Sequence, residues 1–300
     1  MNVETKTKIV DFVKNAQSSG NHVARKQGLV NADEVFSVER FRNLLSSPLL
    51  TPDWLQASLA GKAVDLRGSV AWKVVQDKKL YFMDKEVLNK ALANRASVVL
   101  EGIDVMDTDI AQLVGDLEQT MPCSLSNCVA FFSRSQNEAY SGHRDSDDVL
   151  VIQISGTKRW RLHEPQQRRY LGNAPLTDGM MGPVAETVDM NPGDIMFLRA
   201  GVPHKCSTVT DHSLHLSFDL IDRTLNVEQI TTAANYQYNQ SSADPHVSAA
   251  DVVRAYMQHL TSEKFLKELE KKSVEQKKEA TAFRQRIVGA SQAPDLRLKK

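Results

Sequence analysis

Cysteine, net charge and long apolar runs are all scarce in this chain of 300 residues, and each scarcity removes a class of protein. Three cysteines, Cys123, Cys128 and Cys206, make neither a disulfide framework nor a zinc-ligand set. Lysine plus arginine equals aspartate plus glutamate at 37 each, so no global field pulls the molecule toward nucleic acid or an anionic membrane. No stretch approaches the roughly 20 apolar residues that span a bilayer, and residues 1–21 are polar, without the apolar centre of a signal peptide. These absences predict a cytoplasmic protein in a reducing environment, with no nucleic-acid or membrane partner. Hydrophobic content of 41% is ordinary for a globular chain, and the length allows a substantial core with appendages.

What stands out against this plain background is His143-Arg144-Asp145, with a second histidine, His204, closing the later stretch from Pro192-Gly193-Asp194 to Gly201-Val202-Pro203-His204. Side chains two apart on an extended segment point the same way, so His143 and Asp145 can reach one metal together. Two imidazoles and a carboxylate are the donor set of the 2-His-1-carboxylate facial triad, which holds Fe(II) and leaves positions open for substrate and O₂. A reducing cytoplasm keeps such iron ferrous. A chain with eight histidines also produces His-x-Asp by accident. The two signals strengthen each other because both sit at strand starts inside the most β-like part of the sequence.

The local pattern places these residues on strands. Residues 149–154 form an apolar run that reads as a buried strand. Ser155-Gly156-Thr157 predicts a tight turn into a second strand, 158–163. Residues 194–198 predict another short strand, and Gly201-Val202-Pro203 turns the chain so that His204 opens the next. A sheet closed into a small barrel would bring these ends together. Alternation puts Lys158 on the face of Trp160 and Leu162, where a cation is costly unless it is paired or snorkels outward. A dicarboxylate such as 2-oxoglutarate would supply the partner; an edge-strand lysine with a solvated head is the plainer alternative. Residues 213–220 alternate strictly, with Ser213, His215, Ser217 and Asp219 on one face. His215 and Ser217 are candidates for the interior, whereas Asp219 and Ser213 read as half-exposed strand positions. His215 reads as a supporting histidine rather than a fourth ligand, and Cys206 as a small buried hydrophobe near His204.

The stretch from His143 to Leu162, with residues 192–204 and Ser213-Leu214-His215-Leu216-Ser217, resembles the JmjC-type cupin oxygenases, most of all the ribosomal-oxygenase branch and its bacterial relatives. The resemblance covers about 127–219 and, more loosely, the chain from residue 30 onward. It implies a mainly β fold with α, a double-stranded β-helix (jelly-roll, cupin) core, with an N-terminal α/β buttress and C-terminal helices. It implies iron on His143, Asp145 and His204, with 2-oxoglutarate and O₂ as cosubstrates. It implies that Lys158, fifteen residues after His143, binds the distal carboxylate of 2-oxoglutarate, and that Asn127 lines the same pocket. The aromatic often found two residues after that asparagine is Val129 here, which leaves Tyr140 and Ser217 as candidates for the missing hydroxyl. The implied reaction is hydroxylation of an amino-acid side chain in a protein, a peptide or a small molecule, with 2-oxoglutarate decarboxylated to succinate. Demethylation uses the same chemistry. A metal cupin enzyme without 2-oxoglutarate, or a non-catalytic cupin sensor or scaffold, are the competing readings.

The expected organisation is an N-terminal extension over 1–35, a core over 36–225 with its barrel at about 121–222, and a helical region over 226–300. Helices are predicted over 37–45, from Thr51, over 84–94 with Asp84 as cap, and over 107–120; short strands are predicted within 73–83 and at 97–100. Residues 235–245 read as a polar loop. Ser248 then caps a helix whose apolar side is Val252, Val253, Tyr256 and Leu260. The lysine- and glutamate-rich stretch from Ser262 is usually a solvated helix. Its functional reading is homodimerisation or partner docking through Phe265, Leu266, Leu269 and Phe283. Substrate contacts are expected from the loops 135–142 and 170–185. The branch it resembles carries a winged-helix module beyond its dimerisation helices, and the tail here is too short for both.

Overall fold

The computed structural model describes residues 1–59, 62–120, 125–134, 141–165, 176–221, 230–236 and 248–287. The chain opens with helix Val3–Ser18 (α1), strand Val23–Lys26 (β1) and helices Ala32–Val35 (α2) and Val38–Ser46 (α3). Strands Leu55–Leu59 (β2) and Lys62–Val64 (β3) precede a hairpin of Val70–Val75 (β4) and Lys78–Met83 (β5). Helix Lys85–Ala93 (α4), strand Ser97–Leu100 (β6) and helices Ile103–Met106 (α5) and Thr108–Thr120 (α6) lead into the barrel strands. These are Leu125–Arg134 (β7), Asp148–His163 (β8), Val184–Met190 (β9), Ile195–Leu198 (β10) and His204–Ile221 (β11), with the short helix Asp178–Met181 (α7) between β8 and β9. A helical stretch over 230–236 (α8) and helices Ala249–Leu260 (α9) and Glu263–Ile287 (α10) follow.

Nine strands form one antiparallel sheet in the order β1-β10-β8-β11-β7-β6-β2-β3, with β9 also paired to β8. The two longest strands, β8 and β11, organise it. β10 pairs with the first part of β8 through residues 149–152, and β9 with its second part through residues 158–163. This is the mainly antiparallel class with helices that the sequence predicts. The apolar run 149–154 is buried on both faces, as a strand of continuous rather than alternating hydrophobicity requires. Leu150 and Ile152 join Phe197, Leu216 and Phe218 in the large core beneath Ile9, Phe41, Leu113 and Leu117. Val149 and Val151 face the opposite way, into a smaller cluster with Trp160, Leu162, Met196 and Leu198. The buttress helices have the predicted caps: Ser37 Oγ accepts from Arg40 N–H, and Asp84 Oδ1 from Glu86 N–H.

Three expectations are corrected. Ser155-Gly156-Thr157 is not a hairpin turn, because β8 runs through it without a break. The pairing with β11 instead shifts register between Thr208 and Ser213, opposite Gly156. Gly156 has φ +65°, and a Cβ there would lie 1.9 Å from the His212 carbonyl oxygen. Glycine therefore marks an irregularity of two long strands, which sequence alone does not separate from a turn. The helix expected from Thr51 is one 3₁₀ turn, Pro52–Trp54, followed by β2. Pro52 starts the turn as expected, but residues 55–58 pair with β6, and that tertiary pairing overrides the local signal. On α9, Ser248 caps as predicted, yet Val252 and Val253 on its apolar side are exposed. Phe265 of α10 is buried and Leu269 half-buried, while Leu266 and Phe283 are exposed.

Candidate metal centre

His143 and His204 are joined backbone to backbone. His143 N–H donates to the His204 carbonyl at 3.0 Å, and His204 N–H returns the bond to His143 at 2.8 Å. Gly201 N–H donates to the Asp145 carbonyl at 2.9 Å, so the turn ahead of β11 is tied to the segment ahead of β8. Residues far apart in the chain, His143 with His204 and Asp145 with Gly201, thus meet through main-chain bonds that any side chain at these positions would permit. The side chains add the chemistry. One nitrogen from each imidazole and one Asp145 oxygen all lie within 4.8 Å of one another. Asp145 Oδ1 is 3.8 Å from His143 Nε2, and Asp145 Oδ2 is 3.7 Å from His204 Nε2. These separations are too long for hydrogen bonds and suit donors that share an ion, since two metal–ligand bonds together reach about 4 Å.

The outward nitrogens fix the tautomers. His143 Nδ1 is 3.0 Å from the Ser141 carbonyl and His204 Nδ1 is 3.1 Å from the Val202 carbonyl. A carbonyl only accepts, so each Nδ1 carries the proton and each Nε2 is left as a lone-pair donor on the cavity side. His204 is 4% exposed. Burial, with the nearby His143, drives its pKa down to about 4 against the opposing pull of Asp145. It is therefore neutral at pH 7, the form a metal requires.

The three donors line one side of a cavity of about 330 Å³. Lys158, Trp160, Phe131, His215 and Ser217 line it further, and Gln56, Glu101 and Asp219 contribute carboxylate and amide groups. Lys158 is 2% exposed, on the covered face with Trp160 and Leu162 as the alternation predicts. Its Nζ donates to Ser133 Oγ at 2.7 Å and to Thr208 Oγ1 at 3.4 Å. The ammonium is thus oriented by two hydroxyls. His215 stacks flat on Phe131, with centroids 4.9 Å apart, and meets the Trp160 edge. Burial first, then the charge of Lys158, pushes the His215 imidazole well below its usual range.

Among the residues named from the sequence, His143, Asp145, His204, Lys158 and Ser217 come together on this cavity. Asn127 stands opposite Asp219 in the β7–β11 register and hydrogen-bonds to its carboxylate, so it reaches the cavity through Asp219. Tyr140, Cys123 and the loop residues 135–140 and 170–175 lie outside the described residues. Of the two positions read as half-exposed, Ser213 is fully buried, and Asp219 is part-buried as expected but on the cavity. It lines the cavity, and burial together with Asp145 and Glu101 raises its carboxyl to about 7. Its parity with His215 and Ser217 was the available signal. Glu101, Gln56, Ser133 and Thr208 escaped sequence reasoning. Thr208 shares the parity of His204 and Cys206, whereas Glu101 and Gln56 follow no motif. Cys206 also lines the cavity, half-buried rather than closed into the core.

Comparison with known proteins follows this geometry. The JmjC domain family matches residues 106–230. Around it, the chain is 25% identical over 144 residues to the bifunctional lysine-specific demethylase and histidyl-hydroxylase NO66 of Dictyostelium discoideum, covering 43% of this chain and 28% of that one. It is 26% identical over 106 residues to human ribosomal oxygenase 1, covering 33% and 16%. The match therefore spans less than a third of the length of these curated relatives. The fold extends further than the sequence match. A crystal structure of Escherichia coli YcfD aligns over 84% of this chain and 69% of its own, with a TM-score of 0.55 at 15% identity. A second, described as the ribosomal oxygenase YcfD in complex with cobalt and 2-oxoglutarate, aligns over 86% and 68% with a TM-score of 0.53 at 14% identity. The stretch that matches the JmjC family thus sits in a fold that resembles YcfD well beyond residues 106–230. Among the described residues, no helix is long and apolar enough to cross a membrane.

Proposed function

We propose that the protein is an Fe(II)- and 2-oxoglutarate-dependent oxygenase that hydroxylates an amino-acid side chain. The observation that carries this reading is the meeting of His143, Asp145 and His204 on a cavity that Lys158 also lines. Two neutral imidazoles and one carboxylate suit Fe(II), and the donor set fits the metal without adjustment of tautomers. When bound, iron with 2-oxoglutarate and O₂ supplies the oxidising chemistry that couples succinate formation to hydroxylation of a C–H bond.

The chain's own residues would do the rest. His143, Asp145 and His204 hold the divalent cation, with Ser141 and Val202 carbonyls fixing ring orientation. Lys158 meets the distal carboxylate of 2-oxoglutarate, positioned by Ser133 and Thr208. Ser217 adds a polar contact on the same wall. Trp160, Phe131 and Val149 keep water from the remaining surface. One relative named above, NO66, carries histidyl-hydroxylase and lysine-specific demethylase in its name, which favours a residue within a protein as substrate. Demethylation stays within the same chemistry. For the tail, the proposal is a homodimer through the exposed Leu266 and Phe283, checked by sedimentation of the full chain and of Phe283→Ser. A cytoplasmic location is checked by fractionation.

The test is conversion of 2-oxoglutarate to succinate by the Fe(II)-loaded protein. Wild type is expected to turn over slowly even without prime substrate, and Lys158→Ala to lose that turnover. Full catalysis of some other reaction by Lys158→Ala would point to a metal enzyme that dispenses with 2-oxoglutarate. No Mn(II)-dependent binding of 2-oxoglutarate to wild type would leave a non-catalytic cupin.

A further inference from the structure

The strand that forms one wall of the cavity is an edge over its first half. β7 pairs with β11 over residues 125–134, but with β6 only through Ala130, Phe131 and Phe132. On its open side, side chains replace the missing strand. Glu118 Oε1 accepts Ser126 N–H at 3.0 Å and Asp104 Oδ1 accepts Cys128 N–H at 3.0 Å. The Ser126 carbonyl takes a bond from Arg284 Nη2 of α10 at 2.7 Å. Arg284 also joins the two carboxylates, with Nε 3.2 Å from Asp104 Oδ2 and Nη1 2.6 Å from Glu118 Oε2. Lys277 Nζ to the Glu118 carbonyl, at 2.7 Å, and Thr281 Oγ1 to Glu118 Oε2, at 3.3 Å, fasten the same helix.

Asp104 and Glu118 are 4% and 2% exposed. Two carboxylates this deep need a counter-charge, and the one fork long enough to span both and the Ser126 carbonyl comes from the tail. The alternate residues of the strand face the cavity: Val129 and Phe131 line it, Asn127 holds Asp219, and Ser133 accepts from Lys158. The metal donors lie elsewhere, on segments tied to each other by main-chain bonds.

We infer that Arg284 is a positioning residue: by completing the open edge of β7 it holds the cavity wall for the organic cosubstrate, while the metal donors stand without it. The cosubstrate part of this inference rests on the function proposed above. Without the guanidinium, the buried carboxylates must admit water or protons, the bonds to Ser126 and Cys128 loosen, and Val129 and Phe131 lose their fixed position.

The test compares full-length wild type and Arg284→Ala by amide hydrogen exchange and by titration with Mn(II), then with 2-oxoglutarate. Exchange is expected to quicken by roughly tenfold or more at residues 126–129, and 2-oxoglutarate affinity to fall by a similar factor, with Mn(II) affinity held within about twofold. Unchanged exchange over 126–129 overturns the inference. So does faster exchange throughout β8 and β11 with Mn(II) and 2-oxoglutarate weakening together, since that marks general loosening. If Arg284→Ala does not fold, Arg284→Lys, which keeps the charge but loses the fork, carries the same comparison. Failure of wild type to bind 2-oxoglutarate defeats the proposed function, and the exchange result still decides whether Arg284 supports the β7 edge.

Discussion

Two buried polar assemblies flank β7, one at its open edge and one on its cavity face, and they treat charge differently. On the helix side, Arg284 bridges the carboxylates of Asp104 and Glu118, and the three together cap main-chain groups. On the cavity side, Lys158 is held by hydroxyls, His204 and His215 are pushed toward the neutral form, and Asp219 is raised to about 7. Groups that satisfy each other inside a fold serve its stability. Groups oriented on the wall of a cavity, with their proton affinities displaced, are set for something that enters it. The difference teaches that burial of charge by itself does not mark a site; what marks it is the open volume beside the charge.

The sharpest way to break this contrast is to remove a metal donor. His143→Ala or Asp145→Ala is expected to cut Mn(II) affinity by more than about a hundredfold, since even supporting residues of metal sites are worth 10- to 100-fold. The unfolding midpoint of the metal-free protein is expected to stay close to wild type, and calorimetric titration beside a urea melt reads both. At the open edge of β7, Arg284→Ala is expected to cost about 3–5 kcal/mol in urea unfolding, the usual consequence of stranding one side of a buried ion pair. A loss near zero there would mean that the two assemblies do not differ.

Between these lies the irregularity that lets β8 and β11 run together. Gly156→Ala meets the His212 carbonyl and a positive φ, and is expected to destabilise by more than about 1 kcal/mol in the same melt. The smallest expected effect is in Asp219, and it depends on pH. Burial lifts its carboxyl to about 7 in the folded chain from an ordinary 3.8, so the folded state holds the extra proton between those values. Its contribution therefore declines as pH rises from about 4 to about 7. Asp219→Asn removes that decline, so the metal-free variant is expected to match wild type near pH 4 and exceed it at pH 8. His204 works in the opposite sense: with a folded pKa of about 4 against 6.5, it lowers stability as pH falls through that window. Thermal melts of His204→Gln and Asp219→Asn across pH 4–8 separate the two slopes.

Much of the candidate site was legible because it obeys strand parity. Lys158 with Trp160, and His215 with Ser217, each follow from a period of two along one strand, whereas His143 and Asp145 lie ahead of β8, with His143 in an isolated bridge to His204. Asp219 belonged to the same series and was set aside only because a half-exposed strand produces the same alternation. The barrel elements and the buttress helices over 84–94 and 107–120 were readable from apolar period and caps. The helix expected from Thr51 and the turn expected at Gly156 failed where a partner strand, distant in sequence, set the outcome.

The amino-acid order by itself determined which side chains could share a face, since parity along a strand and the period of a helix are properties of the local backbone. It also determined the donor chemistry, two imidazoles and one carboxylate, because residue type carries that directly. Only the tertiary structure decided that Glu101 and Gln56 join Asp219 at the cavity, and that Arg284 closes over β7 from the far end of the chain. Those contacts depend on how separate segments dock, and docking is governed by shape and burial summed over the whole molecule rather than by any neighbouring residues.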